Sequence, residues 1–319
     1  MGNARLLLPL VAATLLQLSI AGYVLTDDYS KDAFFGNFTA FTGGDPTQGF
    51  VQYTNYQDAT TKGLIGSVAN YDKASYVGVD YVTKTTTGRA SVRLTSQKSF
   101  NHGLFIADIA HMPGGLCGVW PAFWLVGPSW PINGEIDILE GVNAQQANQM
   151  TLHTNAGCTI NKSGFSGVVN TTSCDGNAAD QPKNAGCAIE SQDDATYGTG
   201  FNAAGGGVYA TEWNSSAIST WFFPRSKIPS DISSNNPSPS NWGMPVAMFA
   251  GACDIDAHFK DMQIVFDTTF CGVWASKSWG QQAECKAMAP TCESHVGQMT
   301  GYFKDAYWLV NSVKVFEES

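Results

Sequence analysis

From about Tyr23 to Phe316, apolar and polar residues alternate in short runs. Among them are SVRL (91–94), LFIADIA (104–110), EIDIL (135–139), STWFF (219–223), MQIVF (262–266) and NSVKVF (311–316). Successive side chains of a β-strand point to opposite faces, so this period of two predicts strands with one face in a core. Between the runs lie Gly-, Pro- and Asn-rich segments at 41–49, 201–207 and 230–243, which predict turns and loops. Sustained helical periodicity is scarce. Many short strands punctuated by turns predict an all-β fold, a sandwich or jelly roll of two antiparallel sheets. No repeat, charge run or low-complexity linker divides residues 22–319, so they are expected to form one domain with 230–243 as a long internal loop.

The first residues break the pattern. Arg5 precedes an apolar run from Leu6 to Leu18, and small residues close the segment around Ser19 to Gly22. That arrangement predicts a secretory signal peptide over 1–21, with an apolar core shorter than the ~20 residues a membrane span needs. A secreted, extracellular protein is therefore expected. The cysteines agree: there are eight, an even number with no CxxC pair, all after this segment, and they predict disulfides. A zinc site using Cys253 and His258 is the alternative. Four Asn-x-Ser/Thr sequons, at Asn37, Asn161, Asn170 and Asn214, offer glycan attachment on a secreted chain.

Charge narrows the partners. With 17 Lys+Arg against 27 Asp+Glu the net charge is −10, which disfavours nucleic acid and anionic membranes. Charged residues make up only 14% of the chain, against ~25% in an average protein. An uncharged, polyhydroxylated ligand suits such a surface. A monomer is expected, and no metal or cofactor is implied.

The stretch Trp120–Asn143 carries the candidate chemistry, because three Trp precede a strand bearing Glu135, Asp137 and Glu140. Simple alternation puts Glu135 and Asp137 on one face and Glu140 on the other, with Ile136 and Ile138. A half-buried strand tolerates neither a charge in its core nor two isoleucines in water. One extra residue, a β-bulge near Ile138 or Leu139, returns Glu140 to the acidic face and buries both Ile138 and Leu139. The two Glu Cα atoms then lie about four strand steps apart, roughly 13 Å. Side chains leaning together would bring the carboxylates to ~5–5.5 Å, the separation of retaining glycosidases. Facing like charges also hold protons to higher pH, as an acid beside an anion requires. The bland alternative is an exposed strand that happens to be acidic. Spacing alone does not say which glutamate attacks and which donates a proton.

GEIDILEG (134–141) resembles the E-x-D-x-x-E signature of glycoside hydrolase family 16, with the likeness strongest to fungal laminarinase-type endo-1,3(4)-β-glucanases. RASVRL (89–94), HMPGGLCGVWPAFW (111–124), MTLHT (150–154) and TFCGVWA (269–275) extend it over most of the chain. The resemblance implies a jelly roll with an open cleft and retention of anomeric configuration. It further implies Glu135 as nucleophile, Glu140 as acid/base, Asp137 as helper carboxylate and His153 in the cleft. Trp124, Trp130 and Trp274 are candidate platforms for sugar rings, Trp120 a core residue, and Arg93 a candidate ligand for sugar hydroxyls. The expected activity is endo-hydrolysis of β-1,3 and mixed β-1,3/1,4 glucan. Transglycosylation on the same site and non-catalytic, lectin-like glucan binding are the alternatives.

Overall fold

Each alternating run becomes strand in the computed structural model, which describes residues 22–31, 33–68 and 74–319. The predicted signal peptide at 1–21 lies outside the described residues. SVRL is divided between Arg89–Ser91 and Arg93–Phe100, and the other runs fall within Gly103–His111, Glu135–Glu140, Ile218–Pro224, Met262–Phe270 and Tyr307–Glu318. Two large antiparallel sheets result. The first runs, in spatial order, Val168–Thr171, Cys187–Glu190, Gln149–His153, Glu135–Glu140, Val119–Val126, Met262–Phe270, Arg93–Phe100, Phe38–Ala40. The second is built around Gly103–His111 and Tyr307–Glu318. This is the predicted jelly-roll sandwich.

Alternation divides the first sheet cleanly. Leu94, Phe123, Leu125, Ile136, Met150, Leu152, Ile264 and Phe266 face the second sheet and pack with Phe105, Ala107, Ile109, Val313 and Val315. Each of these Val, Leu, Ile, Met and Phe side chains contributes ~1.5–3 kcal/mol through burial. The intervening residues form the other, open face, which the second sheet does not cover. The strand carrying Glu135 is fourth of eight, so a ligand on the open face crosses several strands on either side of it.

Two features depart from the sequence reading. Residues 201–207 and 230–243 are not all loop, since Gly198–Ala203, Ser230–Ser233 and Pro239–Asn241 form short helical turns. Helices Gly272–Trp279, Ala283–Met288 and Cys292–Gln298 follow the strand Met262–Phe270 and build a cap at one end of the sandwich. Two of the four disulfides, Cys117–Cys285 and Cys271–Cys292, lie in this cap, around a second small core with Trp279, Val296 and Phe303. The others are Cys158–Cys253 and Cys174–Cys187. The zinc alternative is overturned: Cys253 is held by Cys158, and His258 Nδ1 is 2.9 Å from Asn155 Oδ1.

Candidate active site

Gly134 opens the acidic strand at φ +77°, where a Cβ would stand 2.7 Å from the His258 carbonyl. Only glycine fits this turn comfortably. Opposite Val119–Val126, Glu135 pairs with Val126, Ile136 with Leu125 and Asp137 with Trp124, but then Leu139 pairs with Phe123 and Glu140 with Ala122. Ile138 is the extra residue, so the predicted bulge exists, and Ile138 and Leu139 are both buried. Glu135, Asp137 and Glu140 share the open face.

A bulge leaves backbone groups outside the ladder, and buried groups need partners. Asn148 supplies both. Its Nδ2 donates to the Ile138 carbonyl at 2.7 Å, and its Oδ1 accepts the Glu140 N–H at 2.8 Å. Asn148 is fully buried and anchored by its own N–H to Thr196 Oγ1 at 3.1 Å. Asn148→Ala would orphan both bulge groups, at ~1–3 kcal/mol each, and let the Glu140 backbone drift. The expected result is a fall in kcat of about 10–100-fold with KM little changed. Steady-state kinetics on a soluble glucan, with circular dichroism to verify folding, would check it.

The carboxylates are crowded and dry. Asp137 is 2% exposed and Glu140 8%, and Glu135 is half-buried. Ligand atoms of Glu135, Asp137 and His153 all lie within 4.8 Å of one another, with His153 Nε2 3.3 Å from Asp137 Oδ2. Burial pushes the Glu135 carboxyl up to about 8, the Asp137 charge adds to this, and the His153 and Trp130 rings favour the anion. Burial likewise raises Asp137, with the adjacent Glu135 carboxyl acting against the rise. Glu140 is pushed well above the ordinary carboxylate range, first by burial and then by the Asp137 charge, against which the Trp120 indole N–H donates at 2.8 Å to Oε1. The set thus retains protons at neutral pH, and they are best described as belonging to the group.

The same shifts couple to stability. An unfolded chain would release the Glu135 proton near the ordinary value of 4.5, whereas the folded chain holds it to about 8. Between those values the folded state binds more protons, so its stability is greatest on the acid side and declines as pH rises through the window. Thermal unfolding is expected at a higher temperature at pH 5 than at pH 8, and Glu135→Gln should narrow that difference.

Around the acids, the open face carries aromatic and polar groups. The Arg93 guanidinium lies 4.8 Å from the ring centroids of both Phe41 and Trp124. One face of Trp124 is therefore already covered, and only the other is available to a sugar. Its indole N–H donates to Asp267 Oδ1 at 3.1 Å, and the Tyr53 hydroxyl donates to Asp267 Oδ2 at 2.9 Å. Burial pushes Asp267 up to about 6, with Arg93 opposing. Trp130 is 47% exposed, in the loop before Glu135. Trp274 sits in the helical cap, edge-on to Trp120 with ring centroids 5.5 Å apart. The site is an open face rather than a closed pocket. Hollows of about 110 Å³, beside Ile106 and Lys314, and about 250 Å³, beside Asp193 and Phe222, include none of the three acids.

Residues 38–316 match the sequence model of an XgeA-like catalytic GH16 domain. The chain belongs to glycoside hydrolase family 16. An endo-1,3(4)-β-glucanase of Arthroderma benhamiae is 46% identical over 313 residues, 97% of this chain and 68% of that protein. A probable endo-1,3(4)-β-glucanase of Aspergillus flavus is 40% identical over 97% of this chain, which spans only 46% of the relative's length. Among solved structures, an elongating family-16 β-1,3-glucosyltransferase superposes with TM-score 0.85 and 42% identity, covering 92% of this chain and 100% of the other. Laminarinase 16A of Phanerochaete chrysosporium, bearing 6-O-glucosyl-laminaritriose in donor and acceptor sites, gives 0.85 and 37%, covering 93% and 100%.

In this family-16 chain the open face brings together every candidate residue of the central strands: Glu135, Asp137, Glu140, Trp124, His153 and Arg93. Trp130 and Trp274 stand on neighbouring segments. Trp120 is buried, as a core assignment requires, yet its N–H holds Glu140, a contact that its sequence position does not signal. Asn148, Asp267 and Tyr53 were also missed. Glu135, Asp137 and His153 are the group, among the described residues, able to grip a metal ion.

Proposed function

We propose that this protein is a secreted endo-β-glucanase hydrolysing β-1,3 and mixed β-1,3/1,4 glucan with retention of configuration. One observation carries the reading: the bulge at Ile138 turns Glu140 onto the face of Glu135 and Asp137. Two acids on one buried face that together retain protons at neutral pH are what retaining hydrolysis uses. Glu140 is the acid/base in this reading: burial and the Asp137 charge push its carboxyl well above the ordinary range, and the Trp120 N–H holds its Oε1. Glu135, which matches the first Glu of the family signature, is the nucleophile in this reading.

Glu135 attacks the anomeric carbon while Glu140 protonates the departing glycosidic oxygen, leaving a sugar ester on Glu135. Glu140, now a base, takes a proton from water, whose oxygen displaces the ester and regenerates both groups. Asp137, against His153 and Glu135, absorbs the change in local charge. The Arg93 guanidinium, partly exposed on the open face, is available to sugar hydroxyls. Four disulfides and the fungal glucanase relatives support an extracellular location.

Reducing-end release from laminarin, lichenan and cellulose tests the activity, and proton NMR of the first-formed anomer tests retention. An initial α-anomer would overturn the mechanism. Likeness to an elongating glucosyltransferase favours a second reading, in which a sugar hydroxyl replaces water on the same intermediate. Products longer than the starting oligosaccharide would establish it.

A further inference from the structure

The open face continues past the acids to the edge strand Val168–Thr171. Gln149 and Glu190 are paired directly across neighbouring strands. Asn170 Nδ2 donates to both, at 3.3 Å to Gln149 Oε1 and 3.0 Å to Glu190 Oε2. Gln149 shares its face with Thr151 and His153, which stand opposite Asp137 and Glu135. Asn170 therefore lies on the catalytic face. It is exposed, and a register shift between Val169 and Thr171 leaves it outside the ladder. Thr171 and Thr172 complete an Asn-x-Thr sequon. The other three sequons make different contacts: Asn37 Nδ2 donates to the Ala33 carbonyl, the Asn161 backbone N–H donates to the Ala250 carbonyl, and Asn214 Oδ1 accepts the Ser216 N–H.

We propose that Asn170 carries an N-linked glycan that closes one end of the cleft and limits the glucan chain accepted on that side. This rests on the reading of the open face as the substrate cleft. During secretion, Asn170 Nδ2 bonds to the anomeric carbon of an oligosaccharide borne on a polyprenyl pyrophosphate. The sugar–pyrophosphate bond breaks, the pyrophosphate leaves with the electron pair, and the amide gives up one proton. The N–H that remains keeps one of the two bonds to Gln149 and Glu190.

The edge strand is three strands from the one bearing Glu135, roughly 14 Å at ~4.8 Å per step, the span of a short oligosaccharide. A bulky, hydrated glycan at that distance leaves the acids and a short substrate untouched. A longer chain meets it and loses the contacts it would make beyond.

The protein secreted from yeast provides the test, alongside Thr172→Ala, which destroys the sequon, and Thr172→Ser, which keeps it. Peptide mass spectrometry is expected to find a glycan on Asn170 in the parent and Thr172→Ser, and none in Thr172→Ala. Thr172→Ala should then cleave long laminari-oligosaccharides about fivefold faster relative to short ones, the worth of one net hydrogen bond to a regained sugar. Thr172→Ser should match the parent. An unmodified Asn170, or an occupied one with no change in chain-length preference in Thr172→Ala, overturns the proposal. Failure of every form to cleave any glucan would instead sink the cleft reading, because occupancy is scored independently of activity.

Discussion

Glu135→Gln is expected to lower kcat on laminarin by at least ~10⁴-fold, the scale lost when a covalent nucleophile is removed. The protein should remain folded. Glutamine has nearly the same shape and no charge, and the folded chain already pushes the Glu135 carboxyl up to about 8, so the neutral side chain suits its surroundings. Unfolding temperature at neutral pH should therefore stay level or rise while turnover disappears. Measured together, these separate chemistry from folding. Unchanged glucan cleavage by this variant would refute the mechanism.

Glu140→Ala should behave differently. Losing the proton donor costs ~10²–10⁴-fold on a glucan, whose departing sugar is a poor leaving group. A dinitrophenyl glycoside, which leaves without protonation, should form the ester on Glu135 at near-parental rate and then stall. Azide needs no base to attack that ester, so adding it should restore turnover and give a glycosyl azide of the same configuration as the substrate. An azide product of opposite configuration would mean that the two glutamates have exchanged roles.

The strands were legible because a period of two leaves little choice about which side chains meet, and the runs at 104–110 and 262–266 each lie inside a strand. The acids were legible through a conflict: Glu140 cannot share a face with Ile136, and a single extra residue resolves it. Asn148 gave no such signal. It is one polar residue in a loop eight positions from Glu140, and only the fold brings its amide against the bulge. Asp267 reads as an ordinary polar position in MQIVFDTTF until Tyr53, 214 residues away, is found on its carboxylate. Trp120 misleads because burial and function coincide there. The helical cap escaped notice because its helices are eight residues or shorter, too brief for a helical period to repeat along the sequence. Disulfides, whose pairing eight cysteines leave open, accompany it.

The wall that presents Trp274 is fastened by covalent bonds. Cys271 lies immediately before its helix, Cys292 opens a later helix of the same cap, and Asn143 Nδ2 bonds the Ala275 carbonyl from the loop after Glu140. A flexible wall would lose conformational entropy each time it closed on a sugar, weakening every encounter. Here that ordering was completed when the cystines formed, so under the proposed function a glucan would meet a wall already ordered. Its affinity then reflects contact and desolvation with little subtracted for arranging the host.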